Sequence, residues 1–159
     1  MFNVVLVEPE IPPNTGNIGR LCLATGSTLH LVKPLGFSLD DRQLKRAGLD
    51  YWNEVDVQVW NSFSELQSLR STNARYFFLT TKSQRAYYDV EFRDGDFLVF
   101  GRETKGLPEE LLAQNIHNSL TIPIQGTRSL NLATAVAIVL FEAARQQTQL
   151  ASPASSSQL

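Results

Sequence analysis

Apolar positions cluster in six short runs, residues 2–7, 28–32, 55–60, 76–80, 97–100 and 120–124. Each is rich in Val, Leu, Ile or Phe and is bounded by polar, Gly or Pro positions, which predicts strands. The unbroken Phe97-Leu98-Val99-Phe100 further predicts a strand buried on both faces, as in a parallel sheet. Between most of these runs the spacing turns helical, over residues 15–25, 41–47, 64–69, 109–114 and 132–147. In the first, Ile18, Leu21, Cys22 and Thr25 share a face, with Asn14 placed as N-cap and Gly26 as the stop. Gly16 and Gly19 each cost about 1 kcal/mol of helix propensity relative to Ala. They imply a close approach to the backbone by another helix or by a ligand. In the last helix Leu132, Val136, Val139 and Leu140 form a stripe. Ala133, Ala137, Ile138, Phe141 and Ala144 continue it around most of the circumference, so more than one side is expected to be covered. The alternation predicts one α/β domain over residues 1–147 with a largely parallel sheet. Residues 148–159 are expected to form a disordered tail, since 151–159 hold four serines and a proline.

Composition narrows the function classes. Hydrophobic residues make up 43% and charged residues 19% of the 159, as in ordinary soluble domains. A net charge of −2 argues against a generic basic nucleic-acid binder. Local charge differs: Arg42, Lys45 and Arg46 share a short helix, while Arg20, Arg102, Lys105 and Arg128 fall within or beside three stretches that carry other signals. The single Cys22 excludes an internal disulfide, and His30 and His117 have no ligand spacing, so no metal site is expected. No targeting signal or run of about 20 apolar residues is visible, and a cytoplasmic location is expected.

Three stretches carry candidate chemistry. Asn14-Thr15-Gly16-Asn17-Ile18-Gly19-Arg20 follows the first strand. Gly101-Arg102-Glu103-Thr104-Lys105-Gly106-Leu107-Pro108 follows the fifth. Its glycine spacing mimics a P-loop, but Leu107-Pro108 replaces the required Lys-Ser/Thr, and no Rossmann fingerprint is present either. The third stretch, Ser129-Leu130-Asn131, lies between the strand-like 120–124 and the last helix, where Ser129 or Asn131 could serve as N-cap. A strand, a Gly-containing polar hinge and a helix opening on small polar residues leave backbone N–H groups for a ligand.

In order and spacing the three stretches resemble the motifs of the SPOUT superfamily, specifically its SpoU-like RNA ribose 2′-O-methyltransferases. The likeness runs from residue 1 to about 147. Within the group it is nearest to the single-domain enzymes that modify the tRNA wobble nucleotide. The resemblance implies helices on both faces of the sheet, a C-terminal trefoil knot and a homodimer with the active site near its interface. It implies S-adenosylmethionine as cofactor, held by Leu79, Thr80, Gly101, Glu103, Gly106, Ile122, Ile124, Ser129 and Leu130. It implies Arg20, Asn14, Glu103, Ser129 and Asn131 as the catalytic set. Arg20, Arg42, Lys45, Arg46 and Arg128 are the expected contacts to the anticodon loop, with C34 or U34 of leucine tRNAs as target.

A guanidinium stays protonated, so Arg20 is expected to stabilise a developing alkoxide and not to act as base. Phe141 stands where the resembling enzymes often carry tyrosine. Two alternatives stand beside this reading: an enzyme of the same superfamily that methylates a base nitrogen, and, from a different class, a non-catalytic RNA-binding dimer.

Overall fold

The structure, a computed structural model, describes residues 1–150. Six strands form one sheet: β1 (Asn3–Val7), β2 (Thr28–Val32), β3 (Val57–Trp60), β4 (Tyr76–Leu79), β5 (Phe97–Phe100) and β6 (Ser119–Leu120). Their order is β3-β2-β1-β5-β4-β6, and each pairing is parallel. Five helices accompany them: α1 (Pro12–Thr25), α2 (Arg42–Ala47), α3 (Phe63–Ser68), α4 (Glu109–Gln114) and α5 (Leu132–Leu150).

The strands look continuously apolar because alternate residues serve two cores. Val4, Leu6, Leu29, Leu31, Leu98 and Phe100 pack with Ile18 and Cys22 of α1 and with Val136, Val139 and Leu140 of α5. The opposite parity, Val5, Val7, Val32, Phe97 and Val99, packs with Phe63 and Leu66 of α3 and Leu112 of α4. The sheet is therefore sandwiched between two helical layers. One polar cluster sits within it. His30 is fully buried; its Nδ1 accepts from Trp60 Nε1 at 3.0 Å and its Nε2 lies 2.9 Å from Asn3 Oδ1.

Several boundaries differ from the sequence reading. Helix α1 begins at Pro12, with Ile11 and not Asn14 as N-cap. Pro12 and Pro13 bring a helical φ and lack the N–H groups that a first turn leaves unpaired, so no side-chain cap is required. Asn14 is thereby released for another task. Strand β3 starts at Val57, because a 3-10 turn at Leu49–Glu54 still governs Val55, whose N–H donates to Trp52 O. Strand β6 is only Ser119–Leu120, after which Thr121 bridges Ala86 and the chain leaves the sheet ahead of Pro123. Helix α5 continues to Leu150, so residues 148–150 are helical and not part of a tail. The tail expected over 151–159 lies outside the described residues.

Gly16 and Gly19 are explained by a helix and not by a ligand. A Cβ on Gly16 would stand 2.3 Å from Leu44 O of α2, and one on Gly19 would stand 2.6 Å from Trp52 Cζ3. The propensity lost in α1 is thus exchanged for close packing of α2 and its following turn. At the other end of the chain, the segment between β4 and β5 is fastened to α5. Gln146 Oε1 accepts from Phe92 N (2.8 Å), its Nε2 donates to Val90 O (3.0 Å), and Gln147 Nε2 donates to Phe92 O (2.8 Å). Among the described residues no helix is long and apolar enough to cross a membrane.

Candidate active site

Parallel strands aim their carboxyl ends at one edge, and ligands of open α/β sheets gather there, where the strand order reverses. In this chain β1 runs outward through β2 and β3, and β5 then returns to lie beside β1. A cavity of about 570 Å³ opens at that edge, beyond the ends of β4, β5 and β6 and against the start of α1. Its apolar walls come from Leu79, Leu107, Ile122, Ile124 and Leu130, with Leu132 and Ala135 of α5 behind them.

Two asparagines close one side. Asn131 Oδ1 accepts from Thr134 N at 3.2 Å, which makes Asn131, and not Ser129, the cap of α5. Its Nδ2 donates to Asn14 Oδ1 at 3.1 Å, joining the first and last helices across 117 residues of sequence. Because Asn14 Oδ1 is the acceptor, its NH₂ group is left to serve an acceptor in the cavity it lines.

The loop after β5 is a closed knuckle. Arg102 N donates to Gly106 O (3.3 Å) and Gly106 N to Arg102 O (2.9 Å), with Gly106 at φ +69°. A Cβ on Gly101 would lie 2.0 Å from the carbonyl carbon of Gly106, so only glycine allows the loop to fold back this tightly. The knuckle is tied to the segment before α1. Glu103 accepts from Glu10 N (2.8 Å) and Ile11 N (3.1 Å), while Glu10 Oε1 accepts from Thr104 Oγ1 (2.7 Å) and Thr104 N (3.2 Å). The Thr104 hydroxyl, and then its N–H, hold the Glu10 carboxyl below the ordinary carboxylate range. Beside this tie Glu8 adopts φ +56°, uncommon for a residue with a side chain. Its carboxylate reaches the Arg102 guanidinium at 3.9 Å, while Arg102 Nε is buried without a hydrogen-bond partner.

All nine residues expected to hold a cofactor line this cavity, as do Asn14, Asn131 and Arg128. Arg20 does not. It is exposed on α1, with its guanidinium 5.7 Å from the Tyr51 ring centroid. Arg42, Lys45 and Arg46 are also outside the cavity and exposed on α2, which is capped by Asp41 and anchored by buried Leu44. Lys82, Arg102 and Lys105 join Arg128 around the cavity, so an acidic chain gathers four cations at this rim. Lys82 and the Glu10–Thr104 pair escaped the sequence reading. The polar run Thr80-Thr81-Lys82 at a strand end was the available signal for Lys82, whereas nothing local marks the pair. Cys22 plays no part: burial pushes its thiol up to about 12.

The profile of the SpoU rRNA Methylase family matches residues 1–141. The tRNA (cytidine(34)-2′-O)-methyltransferase of Methylovorus glucosotrophus (strain SIP3-4) is 51% identical over 148 residues, covering 92% of this chain and 96% of that protein. A solved structure described as giving structural insights into the 2-OH methylation of C/U34 on tRNA superposes with a TM-score of 0.90 at 47% identity. It covers 94% of this chain and 97% of that one. An AdoMet-bound rRNA methyltransferase from Sinorhizobium meliloti superposes at 0.80 with 27% identity, covering 91% of this chain and 56% of the other.

Proposed function

The chain belongs to the SpoU rRNA methylase family, and we propose that it is a tRNA methyltransferase acting on the ribose 2′-OH of the wobble nucleotide, C34 or U34. The observation that carries this reading is the cavity itself, in which the Asn14–Asn131 pair faces the Gly101–Gly106 knuckle. The names borne by relatives of nearly the same length support the choice of nucleotide.

S-adenosylmethionine supplies an electrophilic methyl on a charged sulfonium. The cavity suits such a molecule in size, and in its combination of apolar walls with main-chain groups of three loops. Leu79, Ile122, Ile124 and Leu130 would pack the faces of an adenine, and the backbone near Thr80, Gly101, Gly106 and Ser129 would meet its polar edges. The Glu103 carboxylate already accepts two backbone N–H groups. We therefore assign it to holding the site and not to removing a proton. The amide NH₂ of Asn14 is a donor for the 2′-oxygen, and Asn131 fixes its orientation.

Arg20, outside the cavity of its own chain, reaches a ribose oxygen if a second copy presents it. A homodimer is the arrangement we propose, supported by Phe141, a large apolar side chain left 46% exposed on α5. There the permanently charged guanidinium would stabilise the developing oxyanion and the neighbouring phosphate. Arg42, Lys45, Arg46 and Arg128 would contact the anticodon-loop backbone, making binding salt-sensitive. The binding of α5 by the segment before β5 supports a threaded, knotted C-terminus. This reading puts the work in the cytoplasm, with leucine isoacceptors as the expected tRNAs on family likeness.

The test is methyl transfer from S-adenosylmethionine to total tRNA lacking wobble ribose methylation, followed by nucleoside mass spectrometry. The expected product is 2′-O-methylcytidine or 2′-O-methyluridine mapped to position 34. Methyl on a base, or cofactor binding without any transfer to tRNA, overturns the reading.

A further inference from the structure

We infer that Glu10 and Thr104 are positioning residues for the transfer step, acting as a clasp between the cofactor loop and the helix that carries Asn14. The inference rests on the proposed methyl transfer and concerns the same site.

Four hydrogen bonds join two segments 92 or more residues apart in sequence. Two run from the Glu10 and Ile11 backbone to Glu103, and two run from Thr104 to Glu10. The exchange is reciprocal: each segment supplies a carboxylate and each supplies backbone donors. It lies immediately before α1, so Asn14 is held about one helical turn beyond the tie. The knuckle on the other side is closed by its own pair of backbone hydrogen bonds between Arg102 and Gly106. Pulling the clasp apart would thus shift Asn14 as a unit against the cofactor wall, and misplacement of about 1 Å can cost on the order of 100-fold in rate.

Glu10 does not line the cavity, whereas Thr104 does. The carboxylate therefore acts through its partner and not on a ligand. Both bonds from Thr104 end on a single oxygen, Oε1. An amide of the same shape offers that same acceptor, so geometry and charge can be separated by substitution. The neighbouring left-handed Glu8, weakly paired with Arg102, fits a junction held in place by its surroundings.

The experiment is steady-state methyl transfer with Glu10→Ala, Thr104→Val and the double variant, alongside Glu10→Gln and Thr104→Ser. Cofactor affinity is measured calorimetrically on the same preparations. Glu10→Ala and Thr104→Val are expected to lower kcat about tenfold or more, with KM for tRNA and cofactor Kd held within about twofold. The double variant should be no slower than the worse single one, as for two ends of one contact. Glu10→Gln and Thr104→Ser should restore most of the rate. Unchanged kcat in Glu10→Ala, additive losses in the double variant, or a loss confined to cofactor affinity each overturns the inference. Absence of transfer by the unsubstituted protein bears on the proposed function instead, and is seen in the same assay.

Discussion

His30 shows how much one side chain can hinge on its surroundings. Trp60 Nε1 donates to its Nδ1, so the single proton of the neutral ring sits on Nε2 and faces Asn3 Oδ1. A second proton would set N–H against N–H in a fully buried place. Burial, and next the Arg70 charge, lower its pKa to about 4, against a smaller opposing effect of Asp56. The unfolded chain binds this proton near pH 6.5, so between about 4 and 6.5 it holds more protons than the folded one. Stability should rise with pH through that window, be complete above it, and lose about 3 kcal/mol as the pH falls to its lower end. Urea unfolding between pH 5 and 7 with an NMR titration of the ring checks this; a ring midpoint near 6.5 would overturn it. Gly101 is the second residue with a sharp expectation. Its missing Cβ would meet the Gly106 backbone. Gly101→Ala overpacks the knuckle at a cost of about 1–3 kcal/mol, which should weaken cofactor binding about tenfold or more. Wild-type affinity in a calorimetric titration would remove the knuckle from the cofactor site.

Among the elements, α1 shows what sequence patterns reveal and what they conceal. Strands β1, β4 and β5 were legible because both parities of each run are apolar, one for each helical layer. The helical stretches were legible from their spacing. The start of α1 was not: Asn14 is a favoured capping type, but Pro12 and Pro13 had already set the first turn. Asn14 instead pairs with Asn131, and Glu103 with the backbone of Glu10 and Ile11, partners invisible to any local window. Gly16 gave a true signal of close approach without saying what approached. Replacing it by Ala raises helix propensity by about 1 kcal/mol but drives a Cβ into the α2 backbone, an overpacking of about 1–3 kcal/mol. The clash should win. Gly16→Ala is expected to lower the urea midpoint, and a raised midpoint would show that α2 yields freely.

For the whole molecule the position of Arg20 has the largest consequence. If one copy supplies Arg20 and the other the cavity, two separately inactive variants should complement each other. Arg20→Ala should abolish turnover with cofactor affinity intact, and Gly101→Ala, assayed at cofactor concentrations well below its weakened Kd, should be nearly inactive. Mixed dimers of the two regain one complete site. Recovery of activity on co-refolding is expected, and persistent inactivity would put Arg20 and cavity in one chain. The strand order carries a different consequence. β1 is flanked by β2 and by β5, with Asn3 opposite Phe97. During synthesis the first strand therefore waits, one edge unpaired, until residues 97–100 leave the ribosome. Nascent chains stopped before that point would expose an apolar strand edge, making them natural clients for chaperones and prone to pair with one another.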